Sequence, residues 1–438
     1  MKLGNNTGNG GFNMKYSFKF SSLAEVGVIL LIMFACFMSP LMTIIDTKYL
    51  FLLYIVIVIL CSLPLVYPRV YLKKNALYVL MPWFVLFIMF LLKNEELLRG
   101  NYVLFIRGLV GFLLLFVLTF QNGWNMTAYK AIVLSSFIHV VATFFFLIFP
   151  TLWGNYALFV FGAYPAGTSK GNMGYTAALN GHYSTNGTLI AFAVLGIMAS
   201  LMSKKKKTSI LLMIIAIVSL LLTTKRAHLL FSIIAFIIVY FIVKWKEGAV
   251  NSILKTIVIL ILGYMSIEIA IRYFPVLNNV FERFSTIGTD AESITRLLMW
   301  NTAFQYFEVN PIIGIGWDAF KYRVVSVIPS AANTTMNAHN IYIQLLAETG
   351  IVGFTAFCCG AFSSIVANAK ILFDKGRYEI TNEKYGLLVF SEIFQVFFLL
   401  YGLSGNFLYD FSFLYYIVTV AVGYSIRSTL LYSRNSTS

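Results

Sequence analysis

Long apolar runs separated by short polar clusters make up most of this chain. A helix needs about 20 apolar residues, within a range of about 17–25, to cross a bilayer. That window predicts twelve spans: 22–45, 49–66, 76–92, 101–120, 128–150, 187–203, 208–224, 227–243, 252–271, 341–369, 385–403 and 411–426. The runs are too long for membrane strands and do not alternate as such strands do. Two stretches interrupt the pattern, at 151–186 and 272–340, and long ordered loops in a bundle are usually functional. Within the second, residues 291–309 have helical spacing, with Asp290 or Ser293 as cap and Pro311 and Gly314 as the stop. Leu297, Leu298, Trp300, Ala303, Phe304 and Phe307 are expected on one apolar face. This predicts an interfacial helix, with Trp300, Tyr306 and Trp317 at head-group depth.

Composition turns this pattern into a fold class. The 438 residues are 59% hydrophobic and 11% charged, with mean hydropathy +0.82. Soluble domains carry roughly 25% charged residues, so the expected fold is an all-α polytopic membrane protein with a large extracytoplasmic loop. The expected order is a tail at 1–21, spans one to five at 22–150, an outer loop at 151–186, spans six to nine at 187–271, the large loop at 272–340, spans ten to twelve at 341–426 and a tail at 427–438. No small-residue cleavage site follows the first run, so the first helix is expected to be retained, and Met14 is an alternative start.

The net charge of +15 raises nucleic acid as a partner. A nucleic-acid reader gathers its positive charge on one soluble face, whereas here the basic residues sit in short clusters between apolar runs, the arrangement of a topology signal. With the N-terminus cytoplasmic, the inner loops and tails hold 20 of the 32 Lys and Arg residues, including Lys2, Lys15, Lys19 and Lys204 to Lys207. Both termini are therefore expected to be cytoplasmic, which puts both long loops outside. In the large loop, Arg272, Arg283, Arg296, Lys321 and Arg323 balance Glu282, Asp290, Glu292, Glu308 and Asp318, so a loop folded over the bundle is expected rather than a charged tail. Cys36, Cys61, Cys358 and Cys359 lie in apolar runs without metal or disulfide spacing and read as small apolar helix residues.

Few residues suggest chemistry. Arg226 stands where spans seven and eight meet with almost no loop. It is either a snorkelling interface residue or a guanidinium aimed at a phosphate, which its planar fork binds bidentately. Lys225 would assist as a point charge. Arg296 lies one helical turn before Trp300, with Asp290, Glu292 and Glu308 as alternative ion-pair partners. His339 precedes the tenth span, with Asn340 as a plausible N-cap. Its imidazole is either a structural helix-entry group or a base, since its ordinary pKa lies near working pH. Glu348 either polarises a partner or pairs with an arginine, and Arg107 within span four needs a partner. The sequence has no Asp-x-Asp pair, no phosphate-cradling P-loop and no zinc spacing.

These pieces, taken in order, resemble the O-antigen ligase and polymerase family of membrane glycosyltransferases. The matching residues are Lys225-Arg226-Ala227, Arg296-x-x-x-Trp300, Asn310-Pro311 through Gly314-x-Gly316, Ala338-His339-Asn340-x-Tyr342 and Glu348-x-Gly350. GHYSTNGTLIAF at 181–192, which contains His182, extends the resemblance to about residues 181–360. The resemblance implies a fold of the GT-C type in a bacterial cytoplasmic membrane and no cofactor or metal. It implies a donor glycan on undecaprenyl pyrophosphate, a glycan acceptor, and flippase and chain-length regulator proteins as partners. It also implies catalytic roles for Arg226, Arg296 and His339, and substrate binding by Lys225, Trp300, Asn340, Tyr342, Glu348 and His182. Polymerisation of surface polysaccharide repeat units is the expected reaction. The alternatives are ligation of finished glycan to lipid A-core or another acceptor and, in another class, flipping of a lipid-linked oligosaccharide.

Overall fold

The computed structural model of the chain describes residues 21–66, 74–121, 123–165, 173–204, 207–248, 254, 291–324, 336–378 and 380–435. Residues 1–20, with Met14, and the predicted span at 252–271, apart from 254, lie outside the described residues, as does Asp290. The helices are α1 (Ser21–Cys36), α2 (Met38–Ile44), α3 (Thr47–Ser62), α4 (Lys74–Leu92), α5 (Glu95–Leu98), α6 (Tyr102–Thr119), α7 (Asn125–Ile148), α8 (Pro150–Phe161), α9 (Tyr183–Lys204), α10 (Lys207–Leu222) and α11 (Arg226–Lys244). They continue with α12 (Ala291–Val309), α13 (Phe320–Arg323), α14 (Ile341–Phe373), α15 (Asn382–Tyr401) and α16 (Ser412–Asn435). Among the described residues the only extended pairing is an isolated bridge between Asn94 and Trp317.

This is a polytopic helical membrane protein. Among the described residues eight helices are long and apolar enough to cross a bilayer, or nine if α1 and α2 form one broken span. Tyr78–Leu92 and Thr208–Leu222 are apolar but shorter. Among the described residues the length test thus supports eight or nine of the twelve predicted crossings, two more coincide with the shorter apolar helices, and the one at 252–271 lies outside the described residues apart from 254.

Two predicted spans are not continuous. The first is bent by 81° between α1 and α2. Proline four residues after a helical carbonyl clashes with it and offers no N–H, and Pro40 stands four residues after Cys36, the last residue of α1. The tenth continues to Phe373 but breaks at Gly350, whose φ is +62° and ψ −166°. The 151–186 stretch holds α8 and two 3-10 turns, Gly174–Thr176 and Ala178–Asn180.

The connections separate into two ends. At one, Ser39 Oγ donates to the Asn180 carbonyl at 2.9 Å, Trp317 N donates to the Lys93 carbonyl at 2.7 Å, and Ile341 N donates to the Gly402 carbonyl at 2.8 Å. At the other, Asn125 Nδ2 bonds Ser425 Oγ at 3.2 Å and Lys246 pairs with Asp374 at 2.9 Å. The centre is built from α9, α15 and α16, whose apolar windows are 78%, 78% and 83% buried, against 22% for α11. Phe192, Phe394, Phe398, Tyr415 and Tyr416 interlock there, which holds the ends of these helices in register.

Candidate functional site

The broken helix α14 is the frame of the site. A break in an α-helix orphans amides and carbonyls that must find partners. The Pro311–Trp317 loop supplies them. Ile351 N and Val352 N donate to the carbonyls of Pro311 (2.8 Å) and Ile312 (3.3 Å), while Ile315 N and Gly316 N donate to those of Ala347 (3.0 Å) and Glu348 (2.9 Å). The two backbones approach so closely that a Cβ at Gly314 would fall on the Glu348–Thr349 peptide, and one at Gly350 on the Ile312–Ile313 peptide. The two glycine motifs of the sequence are thus two halves of one hook.

Glu348 is fully buried behind this hook. Its Oε2 accepts from Asp318 N at 2.7 Å, and its Oε1 from Phe320 N at 3.0 Å and Gln344 Nε2 at 3.2 Å. Gln344 Oε1 in turn accepts from Ala338 N at 2.9 Å. Glu348 therefore holds the loop from inside, and its carboxylate does not face the open end of the bundle.

The same loop is docked on the α4–α6 connection. Lys321 pairs with both Glu96 and Asp318, and Tyr322 Oη donates to Glu96 Oε1 at 2.9 Å. Burial pushes the Asp318 carboxyl up to about 6 although Lys321 opposes the rise. Burial acts in the same direction on Glu96, but the hydrogen bond and charge of Lys321 outweigh it and hold Glu96 below the usual range. The two carboxyls compete for one ammonium, and Asp318 is the one that retains a proton more readily. Arg107, whose partner the sequence left open, donates to the Tyr409 carbonyl at 2.6 Å.

Helix α12 packs against α14. Met299, Thr302 and Ala303 are buried and Trp300 is half-buried, whereas Ile294, Leu297, Leu298 and Phe304 are exposed. Ser293 lies inside this helix and not at its cap, and Asp290 lies outside the described residues. Arg296 shares the half-buried side with Trp300.

Four contacts set His339. Trp300 Nε1 donates to the Ala338 carbonyl at 2.8 Å. Asn340 caps α14, its Oδ1 accepting from Tyr342 N at 3.0 Å and Ile343 N at 3.3 Å. Tyr342 Oη donates to the Leu399 carbonyl at 2.6 Å, and Ile341 N donates to Gly402. His339 itself has φ +51°, a left-handed conformation in which a non-glycine residue is held by its surroundings. Trp300, Asn340 and Tyr342 thus place their polar groups on the frame around a half-buried His339.

The second half of the site is the α10–α11 corner. Lys225 and Arg226 are half-buried at the N-terminal end of α11. Lys225 Nζ lies 3.9 Å over the Tyr183 ring, and His182 stacks on that ring with centroids 4.7 Å apart. Burial, with Lys225 adding to it, pushes the His182 imidazole below its ordinary pKa. Below this rim, His228 Nε2 lies 2.8 Å from Thr188 Oγ1, and its ring is 4.6 Å from that of Tyr401.

The structure thus gathers Lys225, Arg226, Arg296 and His339 at one end of the bundle, with Tyr401 and Gly402 between their supports. Sequence reading missed Tyr183, Thr188 and Tyr401. His228 carried a usable signal, because it lies one helical turn from Lys225. Tyr401 carried none, since it is one aromatic residue among many in α15.

Residues 210–358 match the family model described as O-antigen ligase. That interval contains every sequence-predicted site residue except His182. No curated protein matches the chain.

Proposed function

We propose, from the match of residues 210–358 to the family model described as O-antigen ligase, that the chain polymerises repeat units of a surface polysaccharide. The donor in this reading is a glycan on undecaprenyl pyrophosphate, presented on the outer face of a bacterial cytoplasmic membrane. The carrying observation is the convergence of Lys225, Arg226, Arg296 and His339 at the end of the bundle that also holds the 291–340 segment.

In the proposed step an acceptor sugar hydroxyl attacks the anomeric carbon. A new carbon–oxygen bond forms while the bond to the pyrophosphate oxygen breaks, and lipid pyrophosphate leaves with that electron pair. The hydroxyl proton passes to the His339 imidazole. Negative charge grows on the leaving oxygens, where the forked guanidiniums of Arg226 and Arg296 stabilise it. Amides of the first turn of α11 point the same way, since a helix N-terminus favours anions. A single displacement inverts the anomeric centre. His182, stacked on Tyr183, forms the rim on the acceptor side.

Ligation of finished glycan to another acceptor would use the same groups. Transport draws on one specific observation: Glu392 and Arg427 are buried within α15 and α16, and intramembrane charges often mark pathways. Gene deletion followed by glycan analysis separates the three. Loss of a polymerase leaves single repeat units on the carrier or surface. A ligase deletion leaves long chains on undecaprenyl pyrophosphate, and a flippase deletion leaves single units on the inner leaflet.

A further inference from the structure

At the end of the bundle opposite the α10–α11 corner, a cleft of about 460 Å³ lies between α11 and α14. Its apolar part is Ile242 of α11 with Val366, Ala369 and Phe373 of α14. Its polar edge is Lys370 in the last turn of α14, Asp374 at its C-terminal cap, and Tyr378. Both helices are long and apolar enough to span a bilayer. Val366 and Phe373 are 50% and 41% exposed, so the cleft opens on the flank of the bundle. Lipid is the solvent of that flank, and apolar walls give water no partners.

The edge carries an excess of positive charge. Lys246 Nζ pairs with Asp374 Oδ1 at 2.9 Å and lies 5.2 Å from the centre of the Phe373 ring. The carboxylate of the edge is therefore matched by a lysine from the end of α11. Lys370, one helical turn before Asp374, is exposed and makes no ion pair among the described residues. The last carbonyls of a helix favour a cation, which keeps the Lys370 ammonium charged at this level without giving it an anion. One turn deeper, Val366 begins the apolar part of the cleft. A cation above an apolar slot between spanning helices matches an acyl chain with a negative head group.

We infer that this cleft binds one anionic glycerophospholipid of the surrounding leaflet: an acyl chain lies along Ile242, Val366 and Phe373, and the phosphodiester meets the Lys370 ammonium beside the Lys246–Asp374 pair. The inference needs only the membrane fold and is independent of glycan transfer. Only 22% of the apolar window of α11 is buried within the protein. Lipid in this cleft therefore braces the helix that presents Lys225 and Arg226 at its other end.

The test is native mass spectrometry of the full-length protein in detergent micelles, offered equal amounts of dioleoylphosphatidylglycerol and dioleoylphosphatidylcholine. Wild type is expected to retain one phosphatidylglycerol per chain, preferred about fivefold over phosphatidylcholine, the worth of one lysine at an anionic surface. Lys370→Gln is expected to bring the two lipids to parity, and Lys370→Arg to keep the preference. Val366→Trp, which fills the slot with the charges unchanged, is expected to lose the retained lipid. Inorganic phosphate in excess over lipid is expected to displace nothing. Equal retention of the two lipids by wild type overturns the inference. An unchanged preference in Lys370→Gln or unchanged retention in Val366→Trp does so too. Release of the lipid by inorganic phosphate overturns it in favour of a free-phosphate site. If Val366→Trp does not accumulate, Val366→Phe is read by the same criteria.

Discussion

His339 shows how a single residue can be held by its frame and still be available for chemistry. Its left-handed backbone is enforced by Trp300 on the Ala338 carbonyl, the Asn340 cap and the Ile341 bond to Gly402. Glycine adopts that conformation without strain. His339→Gly should therefore leave thermal stability near wild type or slightly higher, while transfer falls by at least about a hundredfold with the imidazole gone. Thermal melting and polymer yield measured on the same preparation check the two halves of that statement. Arg226→Lys is expected to keep some activity but far less than wild type, because a point charge cannot reproduce a bidentate fork, and titration with donor would show it. The motif residues Lys225, Arg226, Arg296 and His339 were legible in the sequence because their types are rare in apolar surroundings. Tyr401 was not, because only the packing of α9, α11 and α15 distinguishes it from its aromatic neighbours.

At the scale of elements, the hook between the Pro311–Trp317 loop and broken α14 decides where the large loop sits. Gly314→Ala and Gly350→Ala each combine a positive φ with a clash against backbone. Each is expected to destabilise the protein by on the order of 3 kcal/mol, visible as a lower melting temperature or lost expression. The Asp318–Lys321–Glu96 dock adds a pH dependence. Asp318 is raised in the folded state to about 6 from 3.8, so its contribution to stability is fully present below pH 4 and is lost as pH rises to about 6. That loss is at most about 3 kcal/mol by linkage. Asp318→Asn, which keeps the neutral form, is expected to flatten the fall in melting temperature between pH 4.5 and 6.5 that wild type shows. Equal slopes for the two proteins would remove Asp318 from the account. The glycines of the hook were visible in the sequence as motifs, but their mutual docking was not, since the pairing joins residues more than thirty positions apart. The bend between α1 and α2 was readable in principle from Pro40, whose effect an apolar window ignores.

At the scale of the molecule, the alternation of connections between two ends places the α12–α14 segment and the α10–α11 corner together, opposite Lys246, Asp374 and Lys375. The excess of basic residues at the second end predicts that it is cytoplasmic. In a background without native cysteines, Glu308→Cys should react with a membrane-impermeant maleimide in intact cells. Lys375→Cys should react only after permeabilisation. Helical character and most span positions were legible because bilayer thickness imposes one length scale on the pattern. Eight of the twelve predicted spans pass the length test among the described residues, and run length alone does not register bends or short helices. The central claim is that Arg296 and His339, brought to one end by the hook and the α14 cap, carry glycan transfer. It is tested most directly by complementing the deletion strain with Arg296→Ala/His339→Ala and measuring surface polymer at matched protein level. The account predicts no polymer, with single repeat units on the carrier or surface, and polymer of normal amount and length would contradict it.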